Sequence, residues 1–191
     1  MLNICVLLLV DNGSVFTGNI AEFLALKKIK FQLVPFDRLY EDDFAKFNSF
    51  ILSGRRTNNQ HMNAINSKLI NHSIYEKKPL LGICYGAEIL ALTVGGTIRK
   101  MNAVQKGPGT IKTIRENPLC SGMINVYQSH SYEISQLGKH LVHLGESANC
   151  RYELIQYKDS EIFGTQFHPE MTDDGLKIIE NFASLISFNT K

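Results

Sequence analysis

The chain contains no Cys-x-x-Cys pair and no dense cysteine framework, because Cys5, Cys84, Cys120 and Cys150 are widely scattered. That excludes a disulfide-stapled secreted scaffold and leads us to expect a reducing, cytoplasmic setting. There is no basic tract, and a formal charge of +2 is too small to argue for nucleic acid or an anionic membrane as partner. Repeats, low-complexity segments and an evident linker are also missing, so the 191 residues read as one domain, 1–191, long enough to bury a sizeable core. No Gly-rich phosphate loop of the P-loop type appears. The apolar run Leu2 to Val10 lacks a basic leader and a small-residue cleavage site and ends in Asp11-Asn12-Gly13, so a buried first strand is expected there. Nothing else approaches the apolar length needed to span a bilayer.

What is present is an alternation of strand and helix signals. Strands are expected at Ile4–Val10, Phe31–Val34, Ser49–Ser53 and Leu80–Cys84, with helices near Asn19–Lys28, Met62–Asn71 and Ala87–Val94, the last stopped by Gly95-Gly96. Continuous apolar strands separated by helices imply an α/β fold with a mostly parallel sheet covered on both faces. Short β-like runs follow at Thr110–Ile114, Ile124–Tyr127, Leu141–Leu144, Tyr152–Tyr157 and Ile162–Phe167, and should add antiparallel strands to make the sheet mixed. A final helix over roughly Gly175–Ser187 carries Leu176, Ile179, Phe182 and Ile186 at helical period.

Gly82-Ile83-Cys84-Tyr85-Gly86 joins the strand Leu80–Cys84 to the next helix, which is the layout of a nucleophile elbow. Flanking glycines would let strand and helix pack around a strained turn, and a helix N-terminus beside Cys84 would favour the thiolate. Far downstream, Gln166-Phe167-His168-Pro169-Glu170 supplies an imidazole and, two residues on, a carboxylate to orient it. Taken alone, Cys84 reads equally as an inert buried cysteine and His168 as a turn histidine. Cysteine, histidine and glutamate together make a complete triad.

The two segments closely resemble the signatures of the class I glutamine amidotransferases, a Gly-(Ile/Val)-Cys-x-Gly elbow and a Gln-Phe-His-Pro-Glu strand end. The resemblance implies a flavodoxin-like fold and hydrolysis of L-glutamine to glutamate and ammonia, without cofactor or metal. Cys84 would be the nucleophile, His168 the proton relay and Glu170 its orienting carboxylate, with the N–H of Tyr85 as an oxyanion donor. The second donor would come from the loop Ser53-Gly54-Arg55-Arg56, where Arg55 stands in place of the family's glycine and a positive φ would be costly. Glu88 stands where the family usually has a substrate-binding glutamine; alternatively, it is a surface-facing helical glutamate. An Arg55–Glu88 ion pair bordering the pocket is expected if both face it.

Asp11-Asn12, Phe16-Thr17 and Asn19 resemble the opening of the anthranilate and aminodeoxychorismate synthase glutaminase subunits. Ser129-His130 is instead similar to the Ser-His pair in the glutaminase part of GMP synthase, with Tyr132 where that enzyme has aspartate. With no domain for activating an acceptor, a separate ammonia-accepting synthase subunit is the expected partner. The competing readings are a stand-alone γ-glutamyl or other amide hydrolase and a catalytically weakened regulatory subunit. Elsewhere, His140-x-x-His143 with Cys150 nearby has zinc-like spacing without a fourth ligand. Asp173-Asp174 and Glu41-Asp42-Asp43 read as helix-start charges, and His61 and His72 as solvated.

Overall fold

A computed structural model describes residues 6–188 of the chain. Nine strands form one sheet in the order β2-β1-β3-β4-β9-β8-β7-β5-β6. The strands β1 (Leu7–Asp11), β2 (Phe31–Pro35), β3 (Ser49–Leu52), β4 (Leu80–Ile83) and β9 (Ile162–Thr165) pair in parallel. The strands β8 (Leu154–Tyr157), β7 (Leu141–Glu146), β5 (Thr97–Thr113) and β6 (Met123–Gln136) extend the sheet by antiparallel pairing. Ile4 and Cys5, expected at the start of the first strand, lie outside the described residues.

Side chains alternate across the central strands, and each face finds its own helices. Leu7, Leu9, Ile51, Leu81 and Phe163 pack with Ile20 and Leu24 of α1 (Thr17–Leu26) and with Ile178 and Phe182 of α4 (Asp173–Phe188). Leu8, Val10, Phe50, Leu52 and Leu80 face the other way, onto Leu69 and Ile70 of α2 (Gln60–Glu76) and Leu90 of α3 (Tyr85–Thr93). Two-sided burial explains why these strands read as unbroken apolar runs. Asn59 caps α2 by accepting from the Met62 N–H at 3.0 Å. α4 opens on Asp173 and Asp174, matching the charge expected at a helix start.

Because β2 and β3 lie on opposite sides of β1, the connections leave β1 in opposite directions, and a crevice opens at the carboxyl ends of β1 and β3. Asn12 and Ser53 tie those ends together: the Asn12 N–H donates to Ser53 Oγ at 2.9 Å and Asn12 Nδ2 donates to the Ser53 carbonyl at 3.1 Å. Asn66 of α2 completes the knot by donating to Asn12 Oδ1 at 2.8 Å.

The second half differs most from the sequence reading. In place of the short runs at Thr110–Ile114 and Ile124–Tyr127, β5 and β6 form a long ribbon of 17 and 14 residues. Its residues are mostly half-exposed, so no apolar run announces it, and Gly107-Pro108-Gly109 reads as a turn. β7 meets β5 only at Lys112 and Thr113, which leaves Pro108 on an open edge where its missing N–H breaks no ladder bond. His72, read as solvated, is half-buried against the rings of Phe44 and Phe50.

Strand β4, helix α3 and strand β3 approach so closely that side chains would not fit between them. A Cβ on Gly82 would come within 2.4 Å of the Gly86 carbonyl oxygen, and one on Gly86 within 2.5 Å of the Leu52 carbonyl oxygen. Both obstacles are backbone. Gly82→Ala is therefore expected to destabilise the fold by about 1–3 kcal/mol, read as a lower denaturant midpoint at unchanged slope. An unchanged midpoint would mean the elbow tolerates a wider separation.

Candidate active site

Cys84 occupies the tightest point of that approach. Strand β4 ends at Ile83, one residue before the expected limit, because Cys84 leaves the extended region for φ 52° and ψ −103°. A cysteine there carries strain of about 1–3 kcal/mol, held in place by its surroundings. Its N–H donates to the Thr165 carbonyl at 2.7 Å, and its own carbonyl accepts from the N–H groups of Ala87 and Glu88 at 3.0 Å each. The turn is thus fixed to β9 on one side and α3 on the other.

His168 follows β9. Its N–H donates to the Tyr127 carbonyl on β6 at 2.9 Å, so the long ribbon anchors the strand end. Pro169 then opens a single 3₁₀ turn, Pro169–Met171, which folds Glu170 back beneath the imidazole. His168 Nδ1 donates to Glu170 Oε1 at 2.8 Å, both residues being buried. Phe16 stands edge-on to the ring with centroids 4.8 Å apart. A Cβ on Gly54 would lie 3.0 Å from His168 Cε1, so the loop after β3 closes the opposite side. The pair at Nδ1 leaves Nε2 as the proton-exchanging nitrogen.

Cys84, Tyr85, Arg55, Glu88, Ser129, His130 and His168 line one cleft of about 780 Å³. Gly54 and Glu170 support it from behind. The Cys84 sulfur lies 4.0 Å from the Ser129 carbonyl oxygen. Ser14, Phe16, Asn58 and Asn63 also line the cleft, although nothing in the sequence marks them as site residues; they are ordinary polar and aromatic residues whose relevance comes only from the fold. The zinc-like spacing produces no site: His143 Nε2 bonds the Gly145 carbonyl, His140 packs on Tyr157, and no metal-binding group of three such side chains occurs among the described residues.

The electrostatics contradict one expectation. Burial holds the Cys84 thiol well above its usual pKa, and the carboxylates of Glu88 and Glu170 push it further. The Tyr85 N–H, bonded to the sulfur, and the Arg55 guanidinium pull the other way without prevailing. The helix terminus does not deliver a resting thiolate, because the sulfur is desolvated beside two acids.

Glu88 does not face the surface; it is buried with 4% exposure. Burial raises its carboxyl, while Arg55 and the hydrogen bond from Gln166 lower it. Arg55 Nη2 lies 3.6 Å from Glu88 Oε2, its guanidinium stands 4.4 Å from the Tyr85 ring centroid, and Nη1 donates to Asn58 Oδ1 at 2.8 Å. Gln166 Nε2 donates to Glu88 Oε1 at 3.3 Å, and Tyr85 Oη donates to Asn63 Oδ1 at 2.9 Å. Arg55 lies outside the left-handed region, so the arginine imposes no backbone strain on the loop.

Residues 8–185 match the family described as glutamine amidotransferase class-I. The chain belongs to that family. It is a class-I glutamine amidotransferase, a cysteine-dependent glutamine hydrolase. Among its relatives is a free-standing glutamine-hydrolyzing subunit of the GMP synthase of Saccharolobus solfataricus, 30% identical over 183 residues, spanning 89% of this chain and 95% of that one. The glutamine-hydrolyzing GMP synthase of Thermosipho melanesiensis is 32% identical over 184 residues, 93% of this chain, which spans only 35% of that longer protein. A Thermoplasma acidophilum structure described as a candidate GMP synthase subunit superposes with a TM-score of 0.87 at 25% identity, over 97% of this amidotransferase and 96% of that chain. The relatives agree with the Ser129-His130 resemblance and make this an amidotransferase of GMP synthase type. The fold is theirs as well.

The raised thiol has a direct consequence. Alkylation of Cys84 by iodoacetamide should be slow at neutral pH and still rising above about pH 9, the sign expected when the folded thiol is harder to ionise. Glu88→Gln removes one of the charges opposing the thiolate and should move the pH–rate profile downward. A profile unmoved or raised by that substitution would contradict the assignment of Glu88 as a destabiliser of the thiolate.

Proposed function

We propose that this amidotransferase hydrolyses L-glutamine through Cys84, His168 and Glu170 and passes the ammonia to a separate synthase of the GMP-forming type. The observation that carries the reading is the meeting of a strained elbow cysteine and a buried His168–Glu170 pair in one cleft. His168 takes the thiol proton as the sulfur attacks the carboxamide carbon, and Glu170 stabilises the resulting imidazolium through Nδ1. The imidazolium then protonates the departing nitrogen, giving ammonia and a γ-glutamyl thioester on Cys84. Water, deprotonated by His168, cleaves the thioester to glutamate and restores the thiol.

The Tyr85 N–H, already directed at Cys84, serves as one oxyanion donor, and the backbone of the Gly54-Arg55 loop as the other. Ser129 and His130 contribute to the wall against which glutamine lies. Because the resting thiol is neutral, attack waits until bound substrate excludes water and aligns His168. The synthase partner is supported by the names of the relatives, and a cytoplasmic setting by three free cysteines, Cys84, Cys120 and Cys150. Among the described residues no helix is long and apolar enough to cross a membrane.

Ammonia release and synthase-coupled GMP formation test the reading together. Cys84→Ala should abolish turnover, His168→Ala should cost several orders of magnitude, and Glu170→Gln should cost less because it orients the base. The isolated chain should be slow, and the synthase that co-purifies with it should raise the rate. Fast release that the partner leaves unchanged would support an independent amide hydrolase. No release even in the complex would support a purely regulatory role.

A further inference from the structure

Behind the cleft wall, three buried polar side chains form a line leading away from the site. His130 Nδ1 faces the Tyr132 carbonyl at 2.8 Å, and its Nε2 faces Gln128 Oε1 at 3.0 Å. Gln128 Nε2 donates to Glu153 Oε1 at 2.7 Å. Glu153 is fully buried, just before β8, and its Oε2 has no hydrogen-bond partner among the described residues. Its backbone is fixed, the N–H donating to Gly145 O at 3.0 Å and the carbonyl accepting from the Gln166 N–H at 2.8 Å.

This arrangement has a chemical consequence. With the Gln128 carbonyl turned toward His130, both ring nitrogens face oxygen acceptors, so both must carry hydrogen; the ring is cationic and Glu153 is a carboxylate. Turning the amide by half a revolution gives a second consistent state, since its two ends have the same shape. Glu153 is then a carboxylic acid whose O–H donates to Gln128 Oε1. Gln128 Nε2 donates to a neutral His130 Nε2, and Nδ1–H still donates to Tyr132 O. The two states hold the same number of protons. They differ in whether one of them sits on Glu153 or on His130.

We propose that Glu153, Gln128 and His130 form a proton relay in which a buried carboxyl, acting through the orientation of one amide, sets the charge of the imidazole in the cleft wall. Glu153 and Gln128 are positioning residues; His130 is the member that lines the cleft. Burial pushes the Glu153 carboxyl up to about 7, helped by Glu133 and opposed by Ser147 and Gln128. Burial and His168 lower His130, against the Tyr132 carbonyl and Glu133. Glu133 is held by Arg99 at 2.8 Å, and the Cys150 thiol, which also faces Glu153, is pushed up by burial and stays neutral. Both directions favour the neutral pair below about pH 7, with the proton on Glu153. His130 then carries no charge to oppose His168 when that ring takes the thiol proton. As pH rises through about 7, Glu153 ionises, the amide turns its N–H to the carboxylate, and its carbonyl meets His130 Nε2. His130 Nε2 therefore gains hydrogen as pH rises, the reverse of an ordinary histidine.

Long-range ¹H–¹⁵N spectra of the full chain labelled at histidine test the relay without relying on the glutaminase reading. From about pH 6 to about pH 8.5, His130 Nε2 should change from acceptor-type to protonated. In Glu153→Gln the side-chain amide donates to Gln128 Oε1 permanently, so Nε2 should remain an acceptor and the transition should vanish. Gln128→Met, which cuts the line at similar volume, should make His130 titrate in the ordinary direction, and it decides the matter if Glu153→Gln does not fold. A wild-type Nε2 that loses hydrogen with rising pH, or a transition that survives both substitutions, overturns the relay. The second arm rests on the proposed glutaminase activity: kcat/KM should show a limb near pH 7 that Glu153→Gln removes while activity below the limb persists. A limb retained when the spectroscopic transition is lost would show that the charge on His130 does not reach the chemistry.

Discussion

Everything at the site depends on the contact of backbone with backbone where β4, α3 and β3 meet. Gly82 and Gly86 let the chain turn so tightly that Cys84 is driven to a positive φ, a conformation cysteine takes only under constraint. The same contact fixes the start of α3 and therefore where Tyr85 and Glu88 enter the cleft. It also sets the distance to β9, since a Cβ on Gly164 would lie 2.9 Å from the Ala87 Cβ. β9 delivers His168, so nucleophile and base are positioned by one packing event rather than by two independent loops.

Burial is the second constraint, and it works against the charges that the chemistry needs. Cys84, Glu88, His168 and Glu170 are all at most 7% exposed, gathered around the same cleft. Desolvation favours their neutral forms, while Arg55, Gln166 and the Tyr85 N–H offset only part of the cost. A neutral thiol spares the enzyme an exposed reactive sulfur at rest and places the demand for charge separation at the moment substrate is bound. Arg55 couples this cleft to its surroundings, because one guanidinium touches Glu88, Tyr85 and Asn58 at once.

The sequence discloses what depends on short, spaced signals. The apolar runs at Leu7–Val10, Ser49–Leu52 and Leu80–Ile83 announce the two-sided parallel strands, and Gly82-Ile83-Cys84-Tyr85-Gly86 announces the turn. What it hides depends on tertiary approach. The ribbon of β5 and β6 carries half-exposed residues with a Gly-Pro-Gly interruption, so its length shows only in its pairing, yet it supplies Ser129, His130 and the anchor for His168. Glu88 looks like any helical glutamate until α3 is seen to be buried on nearly every side. The sign of the thiol shift cannot be read from the chain alone, because a helix terminus is visible in sequence, whereas the depth of a sulfur and the acids around it are not. Gln128 and Glu153 lie 25 residues apart, with nothing local to link them.

The central claim is that Cys84 is the group that attacks the amide. A glutamine-mimicking electrophile, followed by intact-mass measurement and peptide mapping, examines that claim most directly. The account predicts a single adduct on Cys84, formed faster than by a simple alkylating agent and lost in His168→Ala. An adduct on Cys5, Cys120 or Cys150 with Cys84 unmodified would contradict it.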